Sequence, residues 1–507
     1  MGAVHLMLLL LILVLLSSSL AFLYKFWWGP RQFQRAMKLQ GIRGPSYRLF
    51  HGTNKEAMEM KDQARKSTMD LSHDIFPKTL PHLHAWIQLY GSVFLNWFGT
   101  QPQIVVSDPD LIREILTNKD GAYPKTRTRY FLKKLLGDGL VVAEGDKWIR
   151  VRKLANHAFH GDCLKDMFTV MVASVESMLE KWQNRAAGEE IDVSGEFKSL
   201  TSEVISRTAF GSSYIEGRMI FDLLTKLGMI ISRNTLTIRH FVKTKDEIEA
   251  DRIKQLLHSA VMKIVEKREN EMKSGESTSF GSDFLGSLLK AHHDGDQSRS
   301  ISAEDIVDEC KTFYFTGQDT TSALLSWTTL LLAIDTNWQE KARQEVVGIF
   351  GRDKPTSDGV AKLKIVNMIL YESLRLYGPV SSIQRRIERK VKLGKFEFPA
   401  DMLINIPVQA LHQNPDLWGK DAHLFRPERF TKGLAKATDG IPTAFLGFGF
   451  GPRMCVGMNF AINEAKIALS MILQRYKFTL SPNYVHAPDI VLTTQPSRGV
   501  QILLQTL

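Results

Sequence analysis

Apolar positions recur at three- and four-residue spacing along most of this chain. In "FTVMVASVESMLEKWQ" (168–183) and "EADRIKQLLHSAVMKIVEKRENEMK" (249–273) they fall on one face, with charges opposite, which predicts amphipathic helices. "ISAEDIVDECKTFYFTGQDTTSALLSWTTLLLAI" (301–334) is longer and apolar on most faces, so it is expected to run through the interior. Ser302 and Asp305 stand at its start in capping-box spacing. Strand-like runs are short: "VFLNWF" (93–98), "QIVVS" (103–107) and the alternating "KVKLGKFEFPADMLINIPV" (390–408). The pattern predicts a mainly α body with a smaller β-sheet region.

The N-terminus breaks the amphipathic rule. No charge occurs from Leu6 to Tyr24, about the ~20 residues a helix needs to cross a bilayer. Lys25, Arg31, Arg35 and Lys38 follow on the C-terminal side, with Trp27 and Trp28 at interfacial level. This predicts a single transmembrane anchor with the body in the cytosol. A cleaved signal peptide would carry a charged n-region and a shorter apolar core. Gly41, Gly44 and Pro45 then stop the helix. The expected division is an anchor at 1–30, a basic Gly/Pro hinge at 31–48 and one large domain at 49–507, with no repeat or low-complexity linker inside it.

Composition narrows the partners. Apolar residues are 44% and charged residues 23%, which suits a packed globular body. The formal charge of +11 fits an anionic membrane surface or an acidic protein better than nucleic acid, because no basic block is interleaved with aromatics. Cys163, Cys310 and Cys455 are too few and too scattered for a disulfide framework or a cysteine zinc site. Together with the lack of any N-x-[ST] sequon, this suits a reducing compartment.

The densest chemistry is "FLGFGFGPRMCVGMNFA" (445–461), with glycines at 449, 451 and 457 around Cys455. Those glycines predict positive φ and close backbone approach. A helix pattern begins just after the cysteine, so its first N–H groups are expected to favour the thiolate. Such a thiolate could be a nucleophile or a metal ligand, and the segment offers no histidine as base. A small buried hydrophobe is the plainer reading.

Phe448, Gly451, Arg453, Cys455 and Gly457 fit F-x-x-G-x-R-x-C-x-G in full, which resembles the haem-binding loop of cytochromes P450. Other motifs agree in order. "YESLRLYGP" and "FRPERF" resemble the family's E-x-x-R and P-E-R-F pair, implying a structural triad of Glu372, Arg375 and Arg429. "FTGQDTTS" resembles its oxygen-activation motif, implying Asp319 and Thr320 as proton relay, with Thr316 where Ala or Gly is usual. Trp148 and Arg152 match W-x-x-x-R, and Arg385 matches the arginine after the E-x-x-R helix, with Arg386 as the adjacent register; both imply contacts to haem propionates. "LYGP" puts Gly378 where proline is commoner, which is expected to loosen that turn.

The wording is similar to plant microsomal P450s of the non-A-type group, which includes brassinosteroid- and gibberellin-inactivating hydroxylases and secologanin synthase. The resemblance implies the cytochrome P450 fold and haem b with Cys455 as axial thiolate. It also implies a monooxygenase on the endoplasmic reticulum membrane, facing the cytosol and served by NADPH–cytochrome P450 reductase. Dioxygen and a hydrophobic terpenoid, steroid-like compound or xenobiotic are the implied substrates. Segments 122–141 and 210–240, the Phe313–Thr316 side of the long helix and Val380–Ile383 are expected to touch that substrate. Two alternatives remain: a hydroperoxide-rearranging haem-thiolate enzyme and a non-catalytic haem protein. An acid–threonine pair argues against both.

Overall fold

The computed structural model describes residues 2–67, 69–126, 130–183, 188–234, 243–296 and 300–507. Continuous apolarity shapes the first element, α1 (Gly2–Leu23), which has no ionic residue in its first or last turn and leaves its leucines exposed. A wider turn at Tyr24–Trp28 joins it to α2 (Gly29–Leu39). Among the described residues this is the one helix long and apolar enough to cross a membrane. It ends just before Gly41, whose φ of 85° lets the chain turn away.

The segment expected to be a hinge is laid against the body. Met37, Ile42 and Tyr47 are buried with Trp97, and the Leu95 N–H donates to the Arg43 carbonyl at 2.8 Å. A Cβ on Gly44 would lie 1.8 Å from the Leu95 carbonyl oxygen. Only a bare backbone approaches that closely.

The body is built on α3 (Gly145–Ala158), α4 (Gly161–Gln183), α5 (Val193–Phe210), α6 (Tyr214–Asn234), α7 (Lys245–Lys273), α8 (Ala303–Ile334), α9 (Ile365–Tyr377) and α10 (Met458–Arg475). The Ser302 capping box closes in both directions. Leu324, Trp327, Leu330 and Leu331 then run buried through the core. Helix α5 crosses α8 at Gly317, where a Cβ would lie 2.6 Å from Ile205 Cγ1. Glycine costs about 1 kcal/mol against alanine inside a helix; here it permits the crossing.

A four-stranded sheet stands beside the helices. It contains β1 (Val93–Phe98), β2 (Gln101–Val106), β3 (Ser382–Arg386) and β4 (Leu403–Pro407), in the order β1–β2–β4–β3. β2 and β4 are parallel, and the other pairs antiparallel. A C-terminal hairpin joins β5 (Pro488–Val491) to β6 (Thr493–Pro496). The 390–408 segment, expected to be strand, divides into Val391–Leu393, Phe396–Phe398 and β4. β3 and the hairpin were not expected. β3 is an edge strand of "SIQRR", so no apolar alternation marks it.

Candidate active site

The Cys455 loop is a tight bend before α10. Gly449 and Gly451 have φ of 75° and 72°, and a Cβ on Gly451 would lie 2.2 Å from the Leu116 carbonyl oxygen. Gly457 differs from expectation: its φ is −92° and no protein atom lies within 4 Å of a Cβ built there. The Cys455 N–H donates to the Phe448 carbonyl at 2.9 Å, closing the bend.

The cysteine side chain is exposed to a solvent-sized probe, yet burial pushes its thiol up from the ordinary value. The Gly457 N–H and Arg152 pull the other way and lose to burial. In the haem-free chain the helix start alone therefore does not outweigh burial. α10 begins three residues past the sulfur, so only the Gly457 N–H reaches it.

Four cations gather beside this loop. Burial first, then Arg152, holds Arg453 down to about 10, with Glu144 opposing. Burial and Arg453 hold Arg385 down to about 10. Burial, then Arg385 and Arg453, push Lys125 down to about 7. Arg152 donates to the Met454 carbonyl at 2.6 Å, and Arg453 to that of Ala143 at 2.6 Å. The Arg453 guanidinium lies 4.1 Å from the Trp148 ring centroid, so Trp148 stacks on Arg453 rather than on Arg152. Arg386 turns away to pair with Glu388, which fixes Arg385 as the member that joins the cluster. Among the described residues, Glu144 is the carboxylate that answers these charges.

The middle of α8 is less enclosed than the rest of the helix. Phe315, Thr316, Gly317 and Thr320 are only partly buried within an otherwise buried helix. Thr320 donates to the Thr316 carbonyl at 2.7 Å, and Thr316 to that of Thr312 at 2.8 Å. The extra hydroxyl of Thr316 is thus bonded within its own helix. Asp319 is buried and its carboxyl is raised, chiefly by desolvation. It accepts from the Thr493 hydroxyl at 2.5 Å.

Glu372 and Arg375 sit a turn apart on α9 with no side-chain exposure. Arg375 donates to Glu372 through Nε at 2.7 Å and Nη2 at 2.6 Å, and to the carbonyls of His412, Ala422 and Leu424. All five guanidinium donors are used. Arg429 stands farther off, its Nε 3.5 Å from Glu372 Oε1, and donates to the Trp418 and Asp421 carbonyls. An unexpected partner, the Arg426 N–H, donates to Glu372 at 2.9 Å. Burial and Arg375 hold His412 down to about 3. The neutral ring accepts from the Leu446 N–H at 2.9 Å, joining this cluster to the cysteine loop. A Cβ on Gly378 would lie 2.7 Å from the Leu374 carbonyl, so this turn is tight rather than loosened.

Residues 77–502 match the family model described as Cytochrome P450. The chain belongs to the cytochrome P450 family. It is 53% identical over 493 residues to cytochrome P450 CYP749A22 of Panax ginseng, covering 96% of this chain and 94% of that one. It is 40% identical over 505 residues to 11-oxo-beta-amyrin 30-oxidase of Medicago truncatula, covering 96% and 95%. Cytochrome P450 709B1 of Arabidopsis thaliana is 41% identical over 495 residues, covering 95% and 94%. P450s are haem-thiolate monooxygenases that bind haem b through a cysteine.

The residues of this P450 fit that cofactor. Lys125, Arg152, Arg385 and Arg453 gather around one carboxylate, and two propionates would supply the missing negative charge. Cys455 stands beside the cluster, next to the Met454 carbonyl that Arg152 holds. Lys125 and Glu144 were missed by sequence reasoning. Lys125 lies within the segment 122–141 expected to touch substrate, and only its convergence with Arg385 and Arg453 marks it. Of the expected substrate segments, residues 127–129 and 235–240 lie outside the described residues.

Proposed function

We propose that this P450 inserts one oxygen atom of dioxygen into a C–H bond of a hydrophobic terpenoid or steroid-like compound. What supports the reading is the placing of a cysteine beside an uncompensated cation cluster, near a buried helix that opens at Thr316 and Thr320. The relative named 11-oxo-beta-amyrin 30-oxidase supports a triterpenoid over a xenobiotic.

Cys455 would hold the iron of haem b, and Trp148, Arg152, Arg385, Arg453 and Lys125 its propionate side. Phe448, Gly451 and Gly457 shape the loop. When bound, the haem supplies dioxygen activation at a thiolate-held iron, whose donated electron density favours O–O cleavage. Asp319, its carboxyl raised chiefly by burial, is the acid that would pass protons on. Thr320 spends its hydroxyl proton on the Thr316 carbonyl and keeps its lone pairs as acceptors in the partly open stretch of α8. Glu372, Arg375 and Arg429 carry the scaffold behind the loop.

Electrons come from NADPH through the NADPH–cytochrome P450 reductase, whose acidic face suits the +11 chain. Residues 1–30 anchor the protein in the endoplasmic reticulum membrane, 31–48 dock the anchor to the body, and 49–507 form the cytosol-facing catalytic domain. The cations after α1 support that orientation.

The test is expression in membranes with a plant reductase. Reduced protein with carbon monoxide is expected to give a red-shifted Soret band, absent in Cys455→Ala. Feeding 11-oxo-beta-amyrin and other triterpenes with NADPH is expected to give hydroxylated products. Turnover of a lipid hydroperoxide without NADPH or dioxygen, and no hydroxylation, would overturn the reading in favour of a rearranging enzyme.

A further inference from the structure

The C-terminal hairpin reaches the middle of α8. Strand alternation places Thr493 and Gln495 on one side of β6, and that side meets Asp319. Thr493 Oγ1 donates to Asp319 Oδ2 at 2.5 Å. Gln495 Nε2 donates to Thr493 Oγ1 at 2.8 Å and to the Asp319 carbonyl at 3.2 Å.

The direction of these bonds matters. An amide nitrogen only donates, so Gln495 occupies a lone pair of the Thr493 hydroxyl. The hydroxyl proton is then left for Asp319. We propose that Thr493, backed by Gln495, is a positioning residue that aims the Asp319 carboxyl for the proton-relay role proposed above. The inference rests on that role.

The strand is held firmly enough to do this. The Trp327 indole N–H donates to the Thr494 carbonyl at 3.0 Å, and the Thr494 N–H to that of Pro379 at 2.9 Å. The turn residue before it, Leu492, has a φ of 73°. A side-chain-bearing residue keeps such backbone strain only where its surroundings impose it, and such positions cluster at functional sites. Leu492 lies against α6, its Cδ1 3.2 Å from where a Cβ on Gly228 would stand. Burial favours the protonated carboxyl, while the Thr493 hydroxyl and Gln495 favour the ionised one. The hairpin thus opposes the desolvation that α8 imposes.

The test uses haem-loaded, full-length protein in membranes with NADPH, a plant P450 reductase and dioxygen. Thr493→Val, Thr493→Ser, Gln495→Leu and Asp319→Asn are compared. Two quantities are read: hydrogen peroxide released per NADPH consumed, and the pH at which the Asp319 carboxyl band, identified by infrared difference against Asp319→Asn, disappears. Asp319→Asn is expected to slow NADPH consumption about 100-fold. Thr493→Val is expected to slow it about ten-fold, raise the peroxide fraction, and move the carboxyl midpoint to higher pH, because a donor to the carboxylate is gone. Thr493→Ser restores all three.

A Thr493→Val protein with wild-type consumption and an unmoved midpoint, beside a defective Asp319→Asn, overturns this inference and leaves the relay standing. A wild-type Asp319→Asn removes the relay, and the inference with it. Should Thr493→Val lose its carbon monoxide band, Gln495→Leu decides. A midpoint moved in the same direction supports the inference, and an unmoved one overturns it.

Discussion

Two clusters of buried charge flank the cysteine loop, and they are built on opposite principles. Around Glu372, every donor of Arg375 meets an acceptor, and the carboxylate also takes the Arg426 N–H. Around Arg385, positive groups face one another across a single described carboxylate, Glu144, and burial, with repulsion added, lowers their pKa values. Buried charge is costly unless paired. A cluster that pairs itself is structure, and one left short of charge is a place for a ligand of opposite sign. Arginine occurs in both, so residue type alone does not separate them. The completeness of the hydrogen bonding does.

The largest expected effect breaks the balanced cluster. Arg375→Met leaves Glu372 buried without its main partner, and removing one partner of a buried pair costs about 3–5 kcal/mol. Chemical denaturation should show a loss of that size, or no folded protein at all. A loss below about 1 kcal/mol would mean that water reaches Glu372 and that the two clusters differ less than their bonding implies.

Arg385→Met tests the unbalanced cluster, where two opposite signs are expected. Haem should leave about 10- to 100-fold faster, read by transfer to a haem-scavenging globin, because a charge-assisted bond is lost. Haem-free protein should melt higher, because repulsion with Lys125 and Arg453 is relieved. Loss of both haem retention and haem-free stability would class Arg385 with the balanced cluster.

Lys125 adds a pH signature to the same comparison. Its folded value near 7 lies below the ordinary 10.5, so between those limits the unfolded chain holds a proton that the folded haem-free protein has shed. Stability therefore rises with pH across that window and is lost as pH falls through it. Denaturation midpoints taken at its two ends should show the rise in haem-free wild type. It should flatten in Lys125→Met, and shrink in haem-loaded protein, where propionates would keep the lysine charged.

What was legible in the sequence follows the same division. Self-contained local pieces read well: the Ser302–Asp305 cap, the interior helix, the Cys455 bend and the α9 pair all bond within a few residues or one helix turn. Contacts made across the fold did not. Lys125 carries no periodic or motif signal, and Thr493 reaches Asp319 from 174 residues away. Arg385 matched the motif with Arg386 as the adjacent register, and β3 separates them by burying Arg385 and pairing Arg386 with Glu388. The helix N–H groups expected to favour the thiolate reduce to one, that of Gly457, because α10 begins beyond the sulfur.

Gly317 sets local propensity against packing. Gly317→Ala gains about 1 kcal/mol of helix preference, yet its Cβ would lie 2.6 Å from Ile205 Cγ1. Overpacking costs about 1–3 kcal/mol, so a small net destabilisation is expected. Ile205→Ala in the same chain should relieve the clash and leave the propensity gain visible against Ile205→Ala alone. A double variant no better than that parent would show that the crossing of α5 and α8 has another cause.

The smallest effect comes from Gly457. Gly451 has a positive φ and presses on the Leu116 carbonyl, so the chain itself requires glycine there. Gly457, in the same motif, has a φ of −92° and no protein atom within reach of a Cβ. Gly457→Ala is therefore expected to change haem-free stability by no more than about 0.5 kcal/mol. If haem retention, read by the same globin transfer, also stays at the wild-type rate, the glycine answers to neither fold nor cofactor. If haem is lost faster while the haem-free protein is unchanged, Gly457 belongs with the unbalanced cluster, as a residue kept small for what binds rather than for how the chain folds.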